Sequence, residues 1–199
     1  MTSNAGAGHR FWTSDQHFGH TNIIRYCNRP FADVAEMNEV LIDRWNETVS
    51  DFDEVWVLGD VALGPIEESL ALVRRLRGRK VLVAGNHDRC WAGGGPKSTR
   101  WIDVYRDAGF EEVLQGWVSV QLGKHTALAC HLPYEGDSHD DDRFTAQRPI
   151  DEGELLLHGH VHERWRIKAN QVNVGVDVWD YRPVSDQTIL DALEVAATA

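Results

Sequence analysis

The sequence predicts an α/β fold with a parallel sheet, and three observations carry that prediction. Short, nearly continuous apolar runs at 10–14, 54–58 and 80–84 alternate with stretches of helical periodicity. That alternation is the pattern of βαβ crossovers, whose strands are covered on both faces. Each run stops at a turn-forming or small residue and releases Asp, Asn or His onto the loop beyond it. A chain of 199 residues, 42% hydrophobic and 26% charged, suits one well-cored domain. We expect that domain to span 1–199, with 1–9 a flexible lead-in. Ligands of a parallel sheet gather beyond the carboxyl ends of its strands, so the strand ends are where function is to be sought.

The first strand, 10–14, runs directly into Asp15-Gln16-His17. The D-x-H spacing puts a carboxylate and an imidazole on one side of an extended segment, where both reach one ion. Residues 18–22 continue as a loop. Within 31–50 a helix is expected, because Asp33 and Glu36 form a capping-box pattern and Met37, Val40, Leu41, Trp45 and Val49 make an apolar stripe. The second strand, 54–58, ends in Gly59-Asp60, where glycine lets the backbone turn and approach a ligand closely. Gly64-Pro65 opens the next helix with proline at its first position, Ile66, Leu70, Val73 and Leu76 facing inward, and Gly78 as C-cap. The third strand, 80–84, then delivers Gly85 and the polar triplet Asn86, His87 and Asp88; the bland alternative is an ordinary Gly-Asn turn.

After Asp88 the texture changes. Residues 90–99, with Gly93-Gly94-Gly95-Pro96, form a loop, and 101–108 a short helix closing at Gly109. Strands follow at 112–114, 117–122 and 125–130, with Gly123-Lys124 as a hairpin turn, and the last of them delivers His131. Residues 135–149 are polar and acidic and are expected to form a mobile surface loop, flanked by Arg143 and Arg148 within reach of a phosphate. A strand at 154–157 releases His158-Gly159-His160-Val161-His162, the densest histidine cluster of the ten histidines present. A strand at 173–178 and a helix at 188–196 complete the fold.

The formal charge of −11 argues against a nucleic-acid polymer as partner, because backbone binding relies on a basic surface. A small phosphorylated ligand remains compatible, since bound cations reverse the field locally. Cys27, Cys90 and Cys130 are scattered and odd in number, so neither a disulfide framework nor a zinc knuckle is expected, and a reducing, cytoplasmic setting fits. No run is long and apolar enough to span a bilayer, so no membrane partner is expected. Eight tryptophans leave room for an exposed aromatic patch that takes a base or a second subunit, and a homo-oligomer stays open.

Asp15, His17, Asp60, Asn86, His131, His160 and His162 together offer carboxylate oxygen, amide oxygen and imidazole nitrogen, the donor set of a borderline divalent cation. In order, Asp15-x-His17, Gly59-Asp60, Gly85-Asn86-His87-Asp88, His131 and Gly159-His160-x-His162 resemble the blocks of the calcineurin-like metallophosphoesterase family, across 10–178. The resemblance implies a four-layer α/β/β/α sandwich and a dinuclear centre of two divalent ions, manganese first, with iron or zinc as alternatives. It assigns one ion to Asp15, His17, Asp60 and His162, and the other to Asp60, Asn86, His131 and His160, with Asp60 bridging. Two ions roughly 3.5–4 Å apart share a water, lower its pKa and present the resulting hydroxide to phosphorus. His87, beside Asn86 but not needed for coordination, is then the expected general acid, with Asp88 expected to orient it. His20 and Asn22 are the expected substrate contacts. His158 is read as a supporting residue, His9 and His139 as solvent-exposed, and His125 as a surface residue at a strand start.

One departure bears on substrate. Phosphoprotein phosphatases of this superfamily extend the second block into Asp-Arg-Gly, whereas Gly59-Asp60-Val61-Ala62-Leu63-Gly64 carries no arginine. A phosphomonoester dianion benefits most from such a clamp, and a diester monoanion needs less neutralisation. The expectation is therefore a phosphodiesterase acting on a small substrate, such as a cyclic or linear nucleotide. Arg25, Arg29, Arg143 or Arg148 are the alternative sources of the missing charge. The competing readings are a phosphomonoesterase or nucleotidase, a nuclease on the same centre, which the acidic balance opposes, and a catalytically silent metal-binding scaffold, which the retention of His87 and every ligand position opposes.

Overall fold

Two five-stranded sheets make up this computed structural model, which describes residues 8–198, and the last strand of the chain returns to the first sheet. The first sheet pairs β1 (Arg10–Thr13), β2 (Glu54–Val57), β3 (Arg79–Val83) and β4 (Glu112–Leu114) in parallel, and β10 (Val184–Ser185) runs antiparallel on the free side of β1. The crossovers are α1 (Thr21–Tyr26) with α2 (Val34–Thr48), α3 (Ile66–Ala71), and α4 (Ile102–Asp107). The second sheet joins the hairpin β5 (Trp117–Leu122) and β6 (His125–Cys130) to β7 (Leu155–His158), which runs parallel to β6. β9 (Gln171–Asn173) lies parallel to β7 and carries β8 (Ile167–Lys168) antiparallel at the edge.

Strand alternation divides the side chains of the first sheet between two cores. Phe11, Val55, Val57 and Leu82 pack outward against Met37, Leu41 and Trp45 of α2, Leu70 of α3 and Tyr105 of α4. Trp12 and Val83 face the other way, onto Val120, Leu122, Ala127, Ala129, Leu157 and Val172 of the second sheet. α5 (Asp186–Thr198) closes this inner core through Ile189, spanning from β10 to the hairpin turn at Gly123, where Leu190 lies against the glycine. On the far face of the second sheet Cys130, Leu132 and Leu156 are covered by Tyr134, Phe144 and Trp91. No helix among the described residues is long and apolar enough to cross a membrane.

Local expectations are met where side-chain chemistry decides them. Asp33 accepts from Glu36 N, and the Glu36 carboxylate reaches back to Ala32 N at the start of α2. Pro65 sits just before α3 rather than inside it, and the helix tightens into a 3-10 turn at Leu72–Arg75, leaving Leu76 beyond its end. β4 belongs with the parallel strands, not with the later antiparallel group, and the chain crosses between sheets at Gly116, whose φ is +70°. The strand expected over 173–178 stops at Asn173, because its side chain accepts from Gly175 N and Val176 N turns to bond Ser14 O. Residues 1–7 of the expected lead-in lie outside the described residues. His9, its last member, is fixed, donating to Asp53 Oδ1 at 2.7 Å and accepting from Glu54 N at 2.9 Å.

Asp53 ties the amino ends of three parallel strands together. Its carboxylate takes the N–H groups of His9 and Ser50, and its carbonyl takes Arg79 N. Burial alone would raise its pKa, but the Ser50 and His9 amides outweigh that and hold it below the ordinary carboxylate value. A depressed folded-state pKa contributes stability above the unfolded value of about 3.9 that is lost as pH falls through the folded one. Asp53→Ala is expected to lose about 1.5–3 kcal/mol at neutral pH by urea unfolding, with the deficit shrinking below about pH 4; a pH-independent deficit would show that the carboxylate charge is not what acts.

Candidate metal centre

The carboxyl ends of both sheets meet in one place, and the backbone there is strained. Asp15, His17, Asp60, His160 and His162 adopt left-handed conformations with φ of 60°, 53°, 55°, 71° and 51°. For a non-glycine residue such a conformation costs about 1–3 kcal/mol and persists only where the surroundings over-determine it. Here Asp15 N bonds Gly59 O and His17 N bonds Asp60 O, each at 3.0 Å, lacing the loop after β1 to the loop after β2. Glycines make the close approach feasible: a Cβ on Gly59 would lie 2.5 Å from Gly85 Cα, and one on Gly159 would collide with Ser14 Oγ.

Asp60 is the point of convergence. Its Oδ1 accepts from His87 N at 2.8 Å, while Oδ2 lies 3.7 Å from His17 Nε2 and 3.4 Å from His131 Nε2. His131 sets Nδ1 2.7 Å from Leu58 O and Nε2 2.9 Å from Asn86 Oδ1. Burial would lower its pKa, but the Asp60 charge dominates and raises it to about 9. Asp15 Oδ2 accepts from His160 N at 3.0 Å. Candidate ligand atoms of Asp15, His17 and His162 lie within 4.8 Å of one another, as do those of Asp15, Asp60 and His131. The His131 and His160 rings are 5.2 Å apart.

The donor atoms left over fit divalent ions. Asp15 Oδ1, both ring nitrogens of His17 and His160 Nε2 are buried without a hydrogen-bond partner, although such atoms are nearly always paired in folded proteins. Burial keeps His17 well below the usual imidazole value, and burial with the nearby His131 charge brings His160 to about 3, so both offer neutral nitrogen lone pairs. Carboxylate oxygen with imidazole nitrogen is the set a borderline divalent cation takes.

Residues 13–179 match the model of the calcineurin-like phosphoesterase superfamily domain. The chain belongs to that superfamily. It is 35% identical to the gene 66 protein of Mycobacterium phage L5, over 91% of this chain and 92% of that protein. An uncharacterized protein of Methanocaldococcus jannaschii is 32% identical, over 91% of this chain and 89% of its own length. Among solved structures, a protein of unknown function from Aquifex aeolicus shares the fold, with a TM-score of 0.69 at 23% identity over 93% of this chain and 99% of that one. The family is metal-dependent and hydrolyses phosphoesters, in keeping with the clustered Asp and His groups.

Around the candidate centre lies a set of supporting charges, several of which the sequence does not reveal. Asp88 does not orient His87. Its buried carboxylate accepts from Asp60 N, Gly85 N, Val61 N and Tyr105 Oη, clamping the loops after β2 and β3. Arg29 is 3% exposed and grips Asp177 through Nε and Nη2 at 2.8 and 2.9 Å, while its other donations go to Gln16 O and Asp15 O. Asp177 Oδ2 in turn lies 3.3 Å from His162 Nδ1, and Cys27 joins His162 and Asp177 in a further ring of donors. Nothing in the local pattern marks Asp177, because its partner is 148 residues away.

The segment 135–149 is likewise not the free loop its composition suggests. Asp137 is 5% exposed, accepts from His139 N and Arg143 N, pairs with the Arg143 guanidinium, and lies 3.1 Å from His160 Nε2 without hydrogen-bond geometry. Arg148 is buried against Arg143 O and Asp142. His87 is exposed beside the centre, its ring 5.5 Å from that of His17. The half-buried His20 ring lies 5.4 Å from His17, whereas Asn22 is exposed on α1 with no side-chain hydrogen bond among the described residues. His158 is fully buried, 2.7 Å from Gly159 O through Nδ1, with its ring tilted against that of Trp165 at 4.7 Å. His9, His125 and His139 are exposed.

Asp177→Asn preserves shape but removes the charge facing both Arg29 and His162. Manganese affinity measured by calorimetry is expected to fall about 10–100-fold, the usual cost of losing a group that orients a ligand; unchanged affinity would mean His162 is positioned by packing alone.

Proposed function

We propose that this chain is a dinuclear metal-dependent phosphodiesterase acting on small substrates, with nucleotides foremost. The observation that carries it is the array of unpartnered buried donors on either side of Asp60 Oδ2. Asp15, His17, Asp60 and His162 would hold one ion, and Asp60, Asn86, His131 and His160 the other, with manganese the first metal to test. When bound, such ions neutralise the phosphate oxygens and supply an activated water.

The chain's own residues do the rest. His87, exposed beside Asn86, is placed to hold a proton and hand it to the departing alkoxide oxygen, so that the P–O bond breaks without releasing a bare alkoxide. His20, whose buried Nδ1 is unpartnered and whose ring lies 5.4 Å from that of His17, is the one of the two expected substrate contacts that we retain. Preference for a diester is supported by the arginines. Arg29, Arg143 and Arg148, which could have supplied a dianion clamp, are committed to Asp177, Asp137 and Asp142. Arg25 alone of the four stays free of a carboxylate, exposed over the Tyr26 ring. The three buried free cysteines suit the cytoplasm.

Manganese-loaded protein is expected to bind two ions per chain and to hydrolyse linear or 2′,3′- or 3′,5′-cyclic diesters faster than monoesters. Faster monoester turnover would overturn the diester preference, and less than one ion per chain with no hydrolysis would overturn the enzyme reading. His87→Ala should lower kcat about 10²–10⁴-fold on nucleotide diesters but far less on bis-p-nitrophenyl phosphate, whose leaving group needs no proton. Equal losses on both substrates would remove the proton-donor role.

A further inference from the structure

Beyond His87 the surface forms a groove of about 360 Å³, bounded by residues 86–101. That volume lies within the range of about 300–1,000 Å³ usual for small-ligand sites. Arg89, Lys97 and Arg100 line it together with the indoles of Trp91 and Trp101, and His87 stands at its edge. The Arg89 guanidinium lies 4.6 Å over the Trp101 ring and that of Arg100 5.9 Å from it.

These cations differ from the others in the molecule. In a chain of net charge −11, Lys and Arg side chains are otherwise engaged by carboxylates, as Arg75 is by Glu39, or by carbonyls, as Arg166 is by Val178 and Lys80 by Leu76 and Gly78. Among the described residues only Arg25, Arg89, Lys97, Arg100 and Lys124 have neither kind of partner, and the middle three share this one groove. The segment that carries them is anchored. Arg89 N bonds Tyr105 Oη, Trp91 N bonds Asp88 O, and Gln115 accepts from Ala92 N while donating to Cys90 O. With Arg89 and Arg100 set against the Trp101 ring and the backbone of 89–92 anchored, the groove suits an anion attached to a flat ring, because less of the site must be ordered when the ligand arrives.

We infer that this groove binds the leaving half of a nucleotide substrate, through a second phosphate that is not cleaved and a base laid against the indoles. The inference rests on the phosphodiesterase reading for its direction, since the group that takes the His87 proton departs on this side. The negative charge of the rest of the surface restricts the ligand to a short one, whereas an extended polymer would be repelled.

The test uses the whole protein depleted of metal, titrated with adenosine 3′,5′-bisphosphate and with adenosine, and followed by calorimetry and tryptophan fluorescence. The bisphosphate is expected to bind about tenfold or more tightly than adenosine, and to weaken between about 50 and 200 mM salt. The exposed double variant K97E/R100E should lose about tenfold or more of the bisphosphate affinity at an unchanged Tm, reflecting two lost phosphate contacts. K124E, which alters net charge at the remote β5–β6 turn, should not. Equal binding of the two probes, wild-type affinity in K97E/R100E, or an equal loss in K124E would each overturn the proposal. Groove binding without diester hydrolysis would leave a nucleotide site and remove the phosphodiesterase reading; diester hydrolysis without groove binding would keep that reading and overturn the groove.

Discussion

One buried carboxylate sets the geometry on which the chemistry depends. Asp88 gathers the amides of Asp60, Val61 and Gly85, so the loop after β2 and the loop after β3 cannot move apart without exposing unpaired N–H groups in a dry interior. On the opposite flank the Arg29–Asp177 pair ties the carbonyls of Asp15 and Gln16 to the turn that supports His162. Neither group needs to touch substrate. Their effect is to hold five residues in left-handed conformations that free peptides avoid, which directs their side chains into one space.

Charge in the centre is balanced by two different routes. Burial, which penalises the cation, pushes His17 and His160 down, while the carboxylates facing His131 and His162 push those two rings up. In His131 Asp60 outweighs burial; in His162 the hydrogen bond to Asp177 does so. The same acidic molecule keeps a local excess of unpaired cations beside Trp101, so its surface field is uneven on the scale of a small ligand.

Much of this was legible in the sequence because it is written locally. Strands buried on both faces read as continuous apolar runs, and each ligand block follows its strand within a few residues, so 10–14, 54–58 and 80–84 announce both fold and site. The capping box at Asp33 is equally local. What escaped depends on partners far away in sequence. The two-residue strands β8 and β10 are too short to show alternation, and β4 gives no sign of choosing β3 as its neighbour. Asp177 finds Arg29 across 148 residues. Asp137 hid in an acidic stretch whose composition describes its exposed members, Asp140 to Asp142, rather than its buried one. The sequence marks Asp88 as part of the site but not its partners, since spacing alone does not distinguish a carboxylate that faces a ring from one that turns back to the chain.

The bond from His160 N to Asp15 Oδ2 joins residues 145 positions apart, and β10, near the end of the chain, pairs with β1 at its beginning. On a ribosome delivering about 5–20 residues per second, the first sheet's parallel strands emerge well before the histidine cluster that faces them. A nascent chain can therefore bury the outer core of α2 and β2 while its reactive centre still lacks one side. A chain released before residue 160 would hold Asp15 in place without the amide that its Oδ2 takes from the facing cluster.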